Sequence, residues 1–246
     1  MTALTQHQVE IEKNLGAWER KPLLQQIYAG FYQRILRLMD ETQPALTVEI
    51  GSGIGNLKAH WPRAVCTDLF PNPWLDLVCD GYELPFRDGS IANLVLFDVF
   101  HHLEAPQAFL AEARRALTQT GRLILFEPFI SLSSYPVYAL LHHEPVALFH
   151  PLNRSDKLAR PRRYYAAQGN ATRLFFRGAG GDEPAGWNVF HREAFSAWNY
   201  LLSGGYSKPS FYPSKLLPWI SRVDALLSRY PALFGGRCLV GLTPRA

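Results

Sequence analysis

Three glycines, at positions 51, 53 and 55, follow a short apolar run that ends in Glu49 (Thr-Val-Glu-Ile-Gly-Ser-Gly-Ile-Gly-Asn, residues 47–56). Glycine adopts positive φ easily and lets a ligand approach the backbone closely. Backbone amides of such a loop, where it opens a helix, favour a phosphate or a carboxylate. The segment therefore predicts a strand followed by a tight, ligand-binding turn.

Two interpretations of this loop compete. A dinucleotide-binding fingerprint, G-x-G-x-x-G, has a third glycine where this chain has Asn56, and it gives the acid Glu49 no role. The form E-x-G-x-G-x-G instead resembles the first motif of class I S-adenosylmethionine (SAM)-dependent methyltransferases. The loop alone leaves NAD open as an alternative cofactor.

Carboxylates close the next apolar runs. Asp68 ends the run 64–68, Asp80 ends 75–80 and Asp98 ends 91–98; a helix-like stretch and a fifth run, 122–128, follow. This succession, over roughly residues 45–130, resembles small-molecule methyltransferases related to those of quinone biosynthesis. The resemblance implies an α/β fold with a Rossmann-like, seven-stranded, mostly parallel sheet, helices on both faces and an antiparallel last strand.

The resemblance also implies roles for these positions, with SAM as cofactor. Asp68 would accept hydrogen bonds from the ribose hydroxyls and Asp80 from the adenine amino group, while Glu49 would order the loop and face the ligand's ammonium group. Asp98 and Phe97 would line the methionine arm. The expected cofactor-binding residues are Glu49, Gly51, Ser52, Gly53, Gly55, Asp68, Leu69, Asp80, Gly81 and Asp98. The competing interpretation is that these aspartates only form turns.

Groups for acid–base chemistry follow the fourth and fifth runs. The pool at the end of the fifth run and after it is Glu127, Tyr135, His142, His143 and Glu144. Histidine is the favoured type because its pKa lies near neutrality. The candidate catalytic residues are therefore His102, His142, His143 and Tyr135. Alternatively, alignment of donor and acceptor supplies most of the acceleration, with little acid–base help.

No metal site is expected. His101 and His102 are adjacent, and side chains of adjacent residues on one element tend to point apart, which makes them poor partners on one ion. His102 is expected to pack beneath the loop.

The N-terminal segment 1–44 predicts cap helices. Apolar residues recur at steps of three and four between residues 23 and 38, and Pro22 suits a first helical turn. In the resembling family such helices cover the SAM site.

The chain departs from the family plan twice. Only eleven residues, including Pro71 and Pro73, separate Asp68 from Asp80, too few for a crossover helix, so a loop or single turn is expected. Residues 130–209 are predicted to form a substrate-specificity insertion, and residues 210–246 are predicted to form closing strands and a helix. The last strand is expected at 238–242, and its predecessor around 210–212.

The insertion is strongly basic. Between residues 151 and 181 the only acid is Asp156, against seven basic residues: Arg154, Lys157, Arg160, Arg162, Arg163, Arg173 and Arg177. Such a segment suggests an anionic partner, whether phosphate, carboxylate, lipid headgroup or nucleic acid, or else a solvated loop. The interleaved aromatics are Tyr164, Tyr165, Phe175 and Phe176.

Chain-wide features fit a single cytoplasmic domain. The 246 residues suffice for one core, and the three cysteines lie within apolar runs, which favours reduced thiols. No signal peptide is recognised, and two prolines interrupt the apolar stretch 123–141, which disfavours a membrane span.

The sequence therefore predicts a SAM-dependent, metal-independent methyltransferase acting on an oxygen or carbon of a small, anionic or lipid-linked metabolite. Two alternatives stay open: an RNA methyltransferase that uses the basic insertion, and a SAM-binding module without catalysis that serves a protein partner. A nucleic-acid partner is disfavoured, a peripheral membrane contact is left open, and the sequence does not indicate an oligomeric state.

Overall fold

A mixed β-sheet forms the centre of the computed structural model, which describes residues 3–141, 144–146, 148, 165–176 and 183–245. Within these ranges the sheet has seven strands in the order β3-β2-β1-β4-β5-β7-β6. The strands are β1 (Leu46–Ile50), β2 (Val65–Asp68), β3 (Leu77–Val78), β4 (Ile91–Phe97), β5 (Leu117–Pro128), β6 (Trp187–Ser196) and β7 (Gly235–Pro244). The first five are parallel and β7 runs antiparallel to both its neighbours, which confirms the predicted fold class.

Helices flank the sheet. They are α1 (Ala3–Arg20), α2 (Pro22–Leu38), α3 (Pro106–Ala116), α4 (Ser134–Leu141), α5 (Asn170–Phe176), α6 (Trp198–Leu202), α7 (Leu217–Leu227) and α8 (Pro231–Phe234). Short 3-10 turns span Asn56–Ala59, Phe100–His102 and Ser214–Leu216. The predicted N-terminal helices are confirmed as α1 and α2. Pro22 begins α2, where its missing N–H costs no hydrogen bond.

Strand β4 shows how the core is divided between the two faces of the sheet. Its side chains alternate, so Leu94 and Leu96 pack on the side of α3, and Val95 and Phe97 on the side of α2. All seven residues of β4 are buried, as expected for a central parallel strand covered on both faces. The carboxyl ends of β1, β2 and β4 therefore meet at one edge, where open parallel sheets bind ligands.

The segment between β2 and β3 is a loop, as predicted, and it is tied to its neighbours. The carboxylate of Asp76 accepts hydrogen bonds from the Cys66 amide (2.8 Å) and from Lys58 Nζ (2.6 Å). No helix is present between Asp68 and Leu77.

The predicted position of the penultimate strand, around 210–212, is wrong. That strand is β6, at Trp187–Ser196, inside the segment assigned to the insertion. Because β6 is an edge strand, only its ends are buried, and its middle carries His191, Arg192 and Glu193 instead of an apolar run. The residues around Tyr212 form an irregular segment that packs on α6 through a hydrogen bond from Tyr212 Oη to the Asn199 carbonyl (2.8 Å).

The basic segment falls largely outside the described residues. Of its cations only Arg173, on α5, is described. The stretch 123–141 consists of the end of β5, a loop and the eight-residue helix α4. Among the helices that the structure describes, none is long and apolar enough to cross a membrane.

Candidate active site

A pocket of about 300 Å³ opens at the carboxyl ends of β1, β2 and β4. Seven of the ten predicted cofactor residues line it: Gly51, Gly53, Asp68, Leu69, Asp80, Gly81 and Asp98. Helix α1 closes one side with His7, Glu10, Ile11 and Asn14. Helix α1 therefore borders the pocket, while a covering role for the N-terminal helices stays a prediction.

The glycine loop requires glycine for two reasons. Gly51 and Gly53 have φ of +67° and +53°, a region that other residues adopt only with strain. A Cβ on Gly51 would also lie 2.4 Å from Cγ2 of Val99, which no side chain tolerates. Ser52 points away from the pocket: its Oγ accepts a hydrogen bond from the Thr67 amide (3.0 Å) and so fastens the loop to β2.

Glu49 lies beneath this loop. The residue is only 2% exposed, and Oε2 is 3.8 Å from the thiol of Cys66. Burial raises the pKa of Glu49 to about 8, and the charge of Asp68 adds to the effect, against hydrogen bonds from Ser52 and Cys66. Its carboxyl group therefore supports the loop from below and is absent from the pocket wall; contact with a ligand's ammonium group stays a prediction.

Asp68 presents its carboxylate to the pocket. Oδ2 accepts a hydrogen bond from the Gly53 amide (3.1 Å) and Oδ1 one from the Leu69 amide (2.7 Å). A carboxylate has about four acceptor positions, so each oxygen retains capacity for a ligand hydroxyl. Burial raises the pKa of Asp68, against the opposing influence of His7 and the backbone amides. The geometry suits two adjacent hydroxyl groups.

Asp80 fits both interpretations made from the sequence, as a turn-forming residue and as a residue of the ligand pocket. Its Oδ1 accepts a hydrogen bond from the Tyr82 amide (3.1 Å), as a turn-forming aspartate does, yet the residue also lines the pocket. Gly81 and Tyr82 line the pocket beside it.

Asp98, at the tip of β4, is the only non-glycine residue with positive φ (+57°) among those the structure describes. Its carboxylate pairs with the guanidinium of Arg237, which comes from β7 and is buried. Arg237 was not among the residues predicted from the sequence, although an arginine directly before the apolar run 238–242 signals a buried charge that needs a partner. Phe97, expected in the methionine arm, packs on Tyr28 on the opposite face of the sheet because successive residues of a strand face opposite sides.

The expectation that His101 and His102 point apart is wrong. Their ring centroids are 4.2 Å apart, and both rings reach Glu144. The residues lie on the 3-10 turn Phe100–His102, and Glu144, more than forty positions along the chain, lies where both can contact it. His101 is the buried member, while His102 lines the pocket instead of packing beneath the loop.

His101 joins two carboxylates. Its Nδ1 lies 2.6 Å from Oε2 of Glu127 and its Nε2 3.2 Å from Oε2 of Glu144. Burial disfavours the charged ring, but the two carboxylates outweigh it and raise the pKa of His101 to about 10. Glu127 Oε1 also accepts the amides of Val99 (2.8 Å) and Phe100 (2.6 Å), which fixes the turn after β4.

His102 is held at both nitrogens. Nδ1 lies 2.9 Å from the carbonyl oxygen of Tyr165, and Nε2 lies 3.3 Å from Oε1 of Glu144. Burial, followed by the charge of His101, lowers the pKa of His102 to about 4. The ring is therefore neutral at neutral pH.

The other predicted catalytic residues are not in this pocket. Tyr135 is 42% exposed on α4 and does not line it. A turn in which the Ser134 amide donates to Ser131 Oγ (3.2 Å) begins α4, and the helix then directs Tyr138 inward to the Gly236 carbonyl (2.8 Å). His142 and His143 lie outside the described residues.

Residues 48–125 match the protein family described as "Methyltransferase domain". The matched stretch contains the glycine loop and the three aspartates that line the pocket. The chain contains a class I SAM-dependent methyltransferase domain. SAM is its cofactor, and the NAD interpretation of the loop is set aside.

Solved structures share the fold of this methyltransferase domain. A chain of the complex between the Haloferax volcanii Trm112 methyltransferase activator and a methyltransferase aligns with a TM-score of 0.59 at 15% identity, over 100% of this chain and 98% of that one. A SAM-dependent methyltransferase from Thermotoga maritima aligns with a TM-score of 0.52 at 15% identity, over 96% of this chain and 99% of that one. Geranyl diphosphate C-methyltransferase from Streptomyces coelicolor A3(2) aligns with a TM-score of 0.51 at 11% identity, over 88% of this chain and 78% of that one. No curated protein matches this chain.

Proposed function

We propose that the methyltransferase acts on an oxygen or carbon of a small acceptor that enters the pocket beside Asp98 and His102. The observation that carries the proposal is the single pocket in which the glycine loop, Asp68 and His102 meet. Cofactor-holding groups and a polar acceptor-facing group thus share one cavity, which is the arrangement that a direct transfer requires.

Each pocket residue has its own role, set by the part of the cofactor that it faces. Asp68 orients the ribose through its remaining acceptor positions, Asp80 receives the adenine amino group, and Asp98 lies beside the methionine arm. The sulfonium of bound SAM supplies the methyl group. The acceptor atom forms a bond to the methyl carbon as the carbon–sulfur bond breaks, which gives S-adenosylhomocysteine, and an acceptor proton is released. Alignment of the two reactants in one cavity supplies a large part of the acceleration.

Enclosure of the pocket supports a small acceptor. Ile11 of α1 lies on one side, and Leu103 and Tyr165 line it on another, so the wall combines apolar surface with few polar groups. The anionic or lipid-linked character of the acceptor rests on the basic segment of the sequence, of which Arg173 is described.

Calorimetric titration with SAM, S-adenosylhomocysteine and NADH tests the cofactor assignment. We expect micromolar binding of the sulfur nucleosides, no binding of NADH, and loss of binding in the Asp68→Ala, Asp80→Ala double variant. Release of S-adenosylhomocysteine in a panel of hydroxylated and carbanion-forming acceptors then identifies the acceptor class. Failure of both sulfur nucleosides to bind the folded wild-type protein would overturn the proposal.

A second candidate function is catalysis that depends on a protein partner. The support is the full-length alignment with a chain from a complex with a methyltransferase activator. A chain that binds S-adenosylhomocysteine but methylates nothing in the acceptor panel favours this function. RNA methylation would instead be marked by steeply salt-dependent RNA binding that is lost when Arg160, Arg162 and Arg163 are neutralised.

A further inference from the structure

We propose that His101, His102 and Glu144 bind one divalent transition-metal ion of the Zn²⁺ type at the wall of the SAM pocket. Nothing in the sequence pattern indicated this site, because the histidines were expected to diverge and Glu144 is remote along the chain. Binding of the ion stands on the local geometry alone. Its role in the reaction rests on the proposed function.

The first argument is the spacing of the ligand atoms. Nε2 of His101 lies 3.2 Å from one oxygen of Glu144, and Nε2 of His102 lies 3.3 Å from the other. One such atom from each residue falls within 4.8 Å of the others. In a tetrahedral zinc site with bonds of about 2.0–2.1 Å, neighbouring ligand atoms are about 3.3 Å apart. Each nitrogen therefore lies at a ligand-to-ligand distance from an oxygen of the same carboxylate, and the three side chains are close enough to surround one small ion.

The second argument is the orientation of both imidazoles. A histidine that binds a metal almost always donates its other ring N–H to a carboxylate or a backbone carbonyl. His101 directs Nδ1 to Glu127 at 2.6 Å, and His102 directs Nδ1 to the Tyr165 carbonyl at 2.9 Å. Both rings therefore present Nε2 to the same carboxylate, each held by an outer partner of the expected type.

An ion-pair network is the competing explanation. A protonated His101 between Glu127 and Glu144 accounts for one half of the cluster. It does not by itself explain why both imidazoles direct Nε2 to one carboxylate while each Nδ1 meets an outer acceptor. A metal ion bound by both Nε2 atoms and the carboxylate would account for the orientation of the two rings together.

The donor set indicates the metal. Two imidazoles and one carboxylate suit zinc and its transition-metal neighbours better than magnesium or calcium, which prefer oxygen ligands. Glu127 is an orienting group and not a ligand, since its Oε1 accepts the backbone amides of Val99 and Phe100 and its Oε2 lies against Nδ1 of His101. Three protein ligands leave a coordination position open, as in catalytic zinc sites.

The methyl acceptor could bind to the metal ion at its open coordination position. His102 lines the pocket and its side chain is 32% exposed, so the ion would lie at the pocket wall next to the acceptor's path. A hydroxyl group bound there would lose its proton more readily and would be oriented toward the methyl group. The structure thus points away from the metal-independent transfer that the sequence suggested.

Titration of the purified full chain, first freed of metal with a chelator, tests the site. We expect one equivalent of Zn²⁺ to bind with micromolar affinity or better, and substitution by Co²⁺ to give the visible absorption of a four-coordinate site. His102→Ala and Glu144→Gln should each weaken Zn²⁺ binding by at least about tenfold. His191→Gln, which alters a histidine on β6 beside Glu193, is the matched control and should leave binding unchanged.

Titration of the same proteins with S-adenosylhomocysteine separates the two proposals. Variants that retain S-adenosylhomocysteine binding but lose Zn²⁺ support the metal site. If Glu144→Gln fails to fold, His102→Ala still tests the site, because the His102 ring is partly exposed and its removal should disturb the fold less. Absence of stoichiometric Zn²⁺ binding in the wild type, or undiminished binding in His102→Ala, would overturn the site and leave an ion-pair network. A wild type that binds Zn²⁺ but no S-adenosylhomocysteine would overturn the proposed function alone.

Discussion

The carboxylate of Asp98, at the tip of β4, is paired with the guanidinium of Arg237 on β7. The Arg237 side chain is 2% exposed and lies over the ring of Tyr200, 4.4 Å from its centroid, whereas the Asp98 side chain is 28% exposed at the pocket. Strand β7 thus holds a pocket residue in place through this ion pair.

The exposure of the two partners predicts unequal costs of removing them. Asp98→Asn leaves a buried guanidinium without its counter-charge and should lower the free energy of unfolding by about 3 kcal/mol. Arg237→Met leaves a carboxylate that water can reach and should cost less, about 1–2 kcal/mol. Urea denaturation of both variants measures the difference. Since asparagine also tolerates positive φ, backbone strain does not confound the comparison. Equal losses would contradict a buried Arg237.

Asp68 should contribute specifically to cofactor affinity. Asp68→Ala removes the acceptor positions that face the pocket, and hydrogen bonds to a charged group contribute about 1.5–3 kcal/mol each. We expect S-adenosylhomocysteine to bind at least about 100-fold more weakly, as measured by calorimetry. Asp88→Ala, which removes an exposed carboxylate paired with Arg115, should leave the affinity unchanged. Similar losses in both variants would mean that Asp68 acts only through overall stability.

The parts of this molecule that were predictable depend on local pattern. The glycine loop, the aspartates at strand ends and the helix begun by Pro22 each follow from neighbouring residues and fixed spacings, and the structure has them in place. The parts that failed depend on distant contacts. Edge strand β6 lacks an apolar run because most of its residues are only partly buried or exposed, and both His101 and His102 contact Glu144, which is more than forty positions away in the sequence.

Gly51 should be less replaceable than another glycine of similar conformation. Gly89 has φ of +64° but open space around its Cα, so Gly89→Ala carries only the backbone cost of about 1–2 kcal/mol. Gly51→Ala adds a clash with Val99 and should lower both stability and S-adenosylhomocysteine affinity further. The Gly51→Ala, Val99→Ala double variant should recover part of the loss. Thermal denaturation and calorimetry check this order, and equal effects at the two glycines would contradict the close approach of Val99.

The buried carboxyl of Glu49 should make stability depend on pH. The folded protein holds this proton up to about pH 8, whereas an exposed glutamate releases it near its usual pKa of 4.5. The contribution of Glu49 to stability is therefore complete below pH 4.5 and is lost as the pH rises through 8. One unit of pKa corresponds to about 1.4 kcal/mol, so the loss between pH 6 and pH 8 should be about 2 kcal/mol.

Glu49→Gln isolates this effect because glutamine keeps the shape of the side chain and does not ionise. The stability of the variant relative to the wild type should increase steadily between pH 6 and pH 8, as measured by urea denaturation at each pH. Glu41→Gln, at an exposed position after α2, should show no such trend. A difference between Glu49→Gln and the wild type that does not vary with pH would mean that Glu49 is already ionised in the folded protein at pH 6.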